Sequence, residues 1–192
     1  GTDQQTVGYS TRGNSDDFMY DGDLASNGKI FAMTPEVGSG SDNFWPSTSR
    51  ILPLAQENLY PNIYLSNIAG NYPLLQQTEI ADSSGDGFVE RGEKFYLLLT
   101  IRNKGLDSAH NVTLQLESSS PIIQIPNDPI DLGTIGPVSN KFDSVQCSAL
   151  QLAQNGVTVN IFATITEQTG RIIRDTIPVY IGKKIVNTVF SD

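Results

Sequence analysis

Apolar and polar residues alternate along the second half of the chain, whereas the first half shows no such period. The alternation is clearest in Val112-Thr113-Leu114-Gln115-Leu116-Glu117 and Val157-Thr158-Val159-Asn160-Ile161. A period of two puts successive side chains on opposite faces of a strand. Residues 75–81, 94–103, 111–117, 122–125, 130–135, 157–166 and 172–181 all read as strands on this basis. Asn103-Lys104-Gly105, residues 118–121, Gln154-Asn155-Gly156 and Gln168-Thr169-Gly170 separate them with turn chemistry.

About seven short strands at this spacing predict an antiparallel β-sandwich of immunoglobulin-like type over residues 73–185, without the Cys…Trp…Cys signature of antibody domains. The first 72 residues read differently. Residues 29–37 form an apolar run that predicts a buried strand, and residues 52–69 predict a helix. Ser47 to Ser49 offer start signals, Pro53 suits the first turn, and Gly70 suits the end. Pro61 should kink that helix, since it lacks an N–H and crowds the preceding turn. One strand and one helix cannot enclose a core, so residues 1–72 read as part of a larger α/β layer. Residues 186–192 read as the start of a further linker or domain, and both ends read as cuts in a longer chain.

Charge narrows the partners. The chain carries 21 acidic and 12 basic residues, a net charge of −9, and its pI is near 4.5. Nothing in that balance attracts nucleic acid or anionic lipid. No apolar run is long enough to span a bilayer. Cys147 is the one cysteine, so no internal disulfide can form, and its apolar setting reads as core. Seventeen glycines and ten prolines fit many turns and few long helices.

The densest candidate chemistry is Asp82-Ser83-Ser84-Gly85-Asp86-Gly87-Phe88-Val89-Glu90-Arg91-Gly92-Glu93. Counted as a twelve-residue calcium loop, it places oxygen side chains at positions 1, 3, 5, 9 and 12: Asp82, Ser84, Asp86, Glu90 and Glu93. Gly87 falls at position 6, where such a loop turns sharply, and Phe88 at position 7 would offer its carbonyl. The spacing resembles an EF-hand loop, but the flanks read as strands. A solvated acidic hairpin turned by glycines is the competing reading. Gly/Asp-rich turns ending in Gly-Glu, as Gly92-Glu93 does, also resemble those opening immunoglobulin-like modules of secreted bacterial proteins.

Three blocks carry a second resemblance. They are residues 9–20, which run Tyr9-Ser10-Thr11-Arg12-Gly13-Asn14-Ser15-Asp16-Asp17-Phe18-Met19-Tyr20; Ile30-Phe31-Ala32-Met33-Thr34-Pro35-Glu36-Val37-Gly38; and Phe44-Trp45-Pro46 followed by residues 51–59. In order and spacing they resemble the C-terminal part of the catalytic domain of secreted bacterial zinc metallocarboxypeptidases. The resemblance implies Glu36 as general base beside a zinc-bound water. It implies Tyr9 over the substrate, and Asp16 at the pocket floor selecting basic C-terminal side chains. It also implies a parent hydrolase acting on peptides and placed outside the cell, in the periplasm or on the surface. The zinc ligands are absent, because His110 is the one histidine and no His-x-x-Glu occurs. The fragment alone should therefore be inactive. A non-catalytic spacer or binding module, stabilised by calcium, is the alternative. Apolar residues of the first unit, Phe31, Phe44, Trp45, Leu59, Ile63 and Ile68, would then seek cover on the sandwich or in self-association, or stay mobile. Asn111-Val112-Thr113 is an N-glycosylation sequon, without meaning in a bacterial protein.

Overall fold

The computed structural model describes residues 15–21, 25, 26, 28, 30 and 32–182, in two units, Gly1–Ala69 and Gly70–Asp192. Among the described residues the second unit holds eight strands: β1 (Pro73–Ala81), β2 (Lys94–Asn103), β3 (Ala109–Ser118), β4 (Ile123–Gln124), β5 (Ile130–Ile135), β6 (Asn140–Ala149), β7 (Val157–Thr166) and β8 (Ile172–Ile181). They form two four-stranded sheets, ordered β1-β2-β6-β4 and β5-β3-β7-β8, and every pairing between the named strands is antiparallel.

Alternation explains the packing. On β2, Phe95, Leu97, Leu99 and Ile101 point inward while Tyr96 and Leu98 stay exposed. Val112, Leu114 and Leu116 do the same on β3, Val159, Ile161, Ala163 and Ile165 on β7, and Ile177, Val179 and Ile181 on β8. These inner faces make one core, the packing of a β-sandwich. Each large aliphatic side chain removed from water contributes about 1.5–3 kcal/mol.

One end of the sandwich is organised around Asn103, which is fully buried. Its Oδ1 accepts from the Tyr72 N–H at 2.8 Å and the Gly105 N–H at 3.0 Å. Its Nδ2, with two protons, lies within donor range of three carbonyls, those of Asp107 at 2.7 Å, Ile135 at 3.1 Å and Gly136 at 3.1 Å, so one proton is shared between two of them. A second buried hub is Glu167, whose carboxylate accepts from the Thr169 N–H and hydroxyl and from the Arg171 N–H. Burial pushes the Glu167 pKa up, but these bonds outweigh it and hold the pKa below the usual range.

Eight strands stand where seven were expected. The missed one, β6, pairs with β2 from Asn140 to Ser148. Its inward residues Val145, Cys147 and Ala149 are modest in size and its exposed face includes Phe142, so its hydrophobic contrast is weak.

The first unit contains α1 (Ser15–Asp21) and a 3-10 turn (Thr48–Arg50) running into α2 (Ile51–Ala69). One expectation fails here. Residues 32–37 form no strand and are mostly exposed, so the apolar run does not enter a sheet. The expected helix is present, with Pro61 inside it and exposed. A local lock precedes it: Arg50 donates through Nε and Nη2 to Asp42 at 2.6 and 3.1 Å, and the Ser39 N–H and hydroxyl donate to Asp42 Oδ2. The Arg50 guanidinium, with the Ser39 N–H, holds the Asp42 carboxyl well below the usual carboxylate range.

Candidate functional site, the acidic loop between β1 and β2

The loop leaves β1 at Ala81 and enters β2 at Lys94, and positive φ angles at Gly85 (72°), Gly87 (79°) and Gly92 (75°) turn it. A side chain at these positions would be strained, which is why glycine stands there.

Asp82 is the axis of the loop. Its Oδ1 accepts from the Gly85 N–H and its Oδ2 from the Gly87 N–H at 2.8 Å. Ser84 Oγ lies 2.8 Å from Asp82 Oδ1 and 2.9 Å from Asp86 Oδ1. One hydroxyl proton therefore sits between two carboxylate oxygens, and it can serve only one of them. Asp86 Oδ1 also accepts from the Phe88 N–H at 3.0 Å. Positions 1, 3 and 5 thus bring three oxygens together with one side-chain proton.

Position 12 is placed differently. Glu93 Oε1 accepts from the Ser83 N–H at 2.9 Å and from the Ser83 hydroxyl, and Oε2 accepts from the Glu90 N–H at 2.7 Å. The carboxylate is occupied in bracing the loop base. Among the described residues no three His, Cys, Asp or Glu side chains converge as a ligand set. The oxygens of Asp82, Ser84 and Asp86 fit a hard cation, and Glu93 would have to leave its amides to join them.

The titration behaviour agrees. Desolvation raises the pKa values of Asp82 and Glu93, and hydrogen bonds outweigh it. Those from the Ser84 hydroxyl and the Gly85 and Gly87 N–H groups hold Asp82 low. Those from Ser83 and the Glu90 N–H hold Glu93 low, against the opposing charge of Asp82. Both carboxylates are held charged, the state that a cation needs.

The remaining candidates are scattered. Glu36 lies in an exposed irregular segment, not at the end of a strand. Asp16 sits in α1, where its Oδ2 accepts from the Thr34 hydroxyl at 2.6 Å. Tyr9 lies outside the described residues, as do residues 186–192. His110 is exposed beside Thr134, with Nδ1 3.2 Å from its hydroxyl. Cys147 is buried, and loss of hydration pushes its thiol up to about 11. Asn111 is exposed at a positive φ of 51°. Sequence reasoning missed a shallow groove of about 670 Å³ on the outer face of the β1-β2-β6 sheet, lined by Gln77, Glu79, Leu98, Thr100, Phe142 and Ser144. The outward parity of Leu98 and the exposure of Phe142 were its only signal. No helix among the described residues is long and apolar enough to cross a membrane.

No family model and no curated protein matches this chain. Among solved structures it is similar to native alpha-2-macroglobulin from Escherichia coli, from domain MG7 to the C-terminus, at 15% identity and a TM-score of 0.45, covering 60% of this chain and 17% of that one. It is similar to the CARDB domain of the PF1109 protein from Pyrococcus furiosus, solved with di-metal ions, at 16% identity and a TM-score of 0.39, covering 60% and 93%. A FixG-related protein from Vibrio parahaemolyticus matches at 12% identity and a TM-score of 0.35, covering 60% and 97%. The chain thus spans less than a fifth of the macroglobulin. None of these three is a carboxypeptidase, and the resemblance of residues 9–59 to zinc metallocarboxypeptidases is corrected accordingly. With it go the hydrolase and zinc assignments. Three short blocks matched in order, but the segment expected to carry Glu36 into a sheet forms no strand.

Proposed function

We propose that the second unit is a non-catalytic spacer or binding module of immunoglobulin-like type, stiffened by calcium in the loop between β1 and β2. The observation that carries this reading is the meeting of Asp82, Ser84 and Asp86 oxygens around one hydroxyl proton. The β1-β2-β6 and β3-β7-β8 strand sets support the immunoglobulin-like type, since each joins neighbours in that architecture.

A loop with so few assembled ligands binds weakly, in the range of about 10⁻⁴–10⁻³ M seen in extracellular modules. Such a site would fill only where calcium is millimolar, which supports the reading of a secreted, periplasmic or cell-surface protein. Calorimetric titration and thermal melts test the reading. At calcium ten- to a hundredfold above Kd, the native state gains about 1.4–2.7 kcal/mol. Asp82→Asn with Asp86→Asn should abolish both the heat and the stabilisation. Neither heat nor a rise in Tm at 10 mM calcium (about tenfold the weakest of those Kd values) would retire the site.

The first unit supports a second reading. Phe44 and Trp45 are almost wholly exposed, and Leu59 and Ile63 of α2 are more than half exposed. Exposed apolar surface of this extent marks a contact surface, read here as self-association. Sedimentation velocity across a hundredfold dilution tests it: a single monomer species throughout would overturn it.

A further inference from the structure

We propose that the acidic loop is a latch on the carboxyl-terminal end of β8, so that opening the loop releases Tyr180, Ile181 and Gly182 while the sandwich stays folded. The loop is strung between β1 and β2 of one sheet, yet Val89 pairs with Ile181 of the other in an isolated parallel bridge. The Val89 N–H donates to the Tyr180 carbonyl at 3.2 Å, and the Gly182 N–H donates to the Val89 carbonyl at 2.9 Å. Val89 is fully buried, and the Phe88 ring meets Tyr180 edge-on at 5.3 Å and 82°.

On its other side this end of β8 is held by β7, through the pairing of Val157 with Ile181 and the Gly156 N–H donating to the Ile181 carbonyl at 2.8 Å. The last residues of β8 therefore lie between a regular ladder and a single loop residue. The loop side is the weaker, with two backbone hydrogen bonds and two side chains. The loop itself is largely exposed and turned by three glycines in left-handed conformations. Segments with few buried contacts open before the core does. The Glu93 carbonyl, which accepts from the Ala149 N–H at 2.9 Å, anchors the far end of the loop to β6, so the hinge lies between Asp82 and Gly92. The latch rests on Val89 and Phe88. It deepens the calcium reading only in that an ion gathered by Asp82 and Asp86 would tighten the same loop.

Native-state hydrogen exchange on the full chain tests this. In Val89→Gly, and to a lesser extent in Phe88→Ala, the Gly182 amide should exchange about tenfold faster or more, while Leu97, Leu114 and Ile161 keep their protection. Uniform acceleration of all amides would overturn the latch, because the loop would then belong to the global unfolding unit. So would unchanged exchange at Gly182 in both variants. The calcium arm is separate. Calcium that binds by calorimetry and slows Gly182 exchange in the parent chain but not in Val89→Gly supports the coupling. Calcium that binds without affecting Gly182 overturns the coupling and leaves the site standing. Absence of binding retires the site and leaves the latch to be decided by the two variants alone.

Discussion

Replacing Asn103 by alanine removes the one side chain that ties four segments together at the end of the sandwich. The amide serves two N–H donors and three carbonyls. Two of those bonds, from the Gly105 N–H and to the Ile135 carbonyl, are buried on both sides. The other three lie where water can replace the lost partner in part. An orphaned buried polar group costs about 1–3 kcal/mol, and the vacated side-chain volume adds a smaller cavity term. The expected loss is therefore about 3–5 kcal/mol, a large fraction of the ~5–15 kcal/mol that holds an ordinary domain. In urea, at an m-value of about 1.5 kcal/mol/M, the midpoint should fall by roughly 2–3 M. Far-UV circular dichroism of the full chain reads it. Asn103→Asp supplies the control with a sign. A carboxylate keeps the two N–H partners but faces three carbonyl oxygens, so its folded pKa should be raised above the unfolded value. Its destabilisation should be full only above that raised folded pKa, ease as pH falls through it and the group becomes a donor, and reach its minimum below the usual aspartate range. A midpoint for Asn103→Ala within about 0.5 M of the parent would refute the account, since that shift is below the cost of one orphaned group.

Gly105→Ala should be at least as damaging as a cavity mutation, about 2 kcal/mol or more, because its Cβ would lie 2.0 Å from the Gly70 carbonyl oxygen, a backbone atom that cannot step aside; the same urea titration checks it. Asp82, Glu93 and Glu167 have folded pKa values held below the ordinary 3.8 and 4.5. The stability they contribute is therefore fully present above that range and is lost as pH falls through the lowered values. Thermal melts should show a steady Tm from pH 7 down to about 5 and a fall below 4, with a shallower fall in Glu93→Gln. Cys147, buried and with its thiol pushed up to about 11, should resist a thiol-reactive dye in the native chain and react fully in denaturant.

Much of the sandwich could be read from residue order because its signal is local. β2, β3, β7 and β8 each alternate over ten residues, and a period of two needs no tertiary information. β6 escaped because its inward face is Val145, Cys147 and Ala149, small residues that pack well only once β2 lies beside them. The run from Ile30 to Val37 shows the opposite error. It is apolar enough for a strand, but a strand needs a ladder partner, and residues 32–37 have none. Pro61 lies inside the 19-residue helix α2; its missing N–H and ring clash together cost about 3 kcal/mol or more, and the remaining turns carry that cost.

The acidic loop was legible in its ligand types and invisible in its attachment. Asp82, Ser84, Asp86 and Gly87 are near neighbours in sequence and meet in the loop, as a tight turn requires. Glu93, six residues beyond Gly87, was assigned to a cation by the same count and instead braces Ser83 and Glu90. Val89 carried no signal at all: an apolar residue within an acidic turn has meaning only when its distant partner Ile181 is known. The two facts bear on each other. A loop that already satisfies Asp82 and Glu93 with its own N–H groups does not require an ion to hold its shape, so calcium would act on the balance between closed and open loop rather than on the fold. For an ion, that makes the predicted readout a change in local protection at Gly182 together with a modest rise in Tm, not a transition from unfolded to folded.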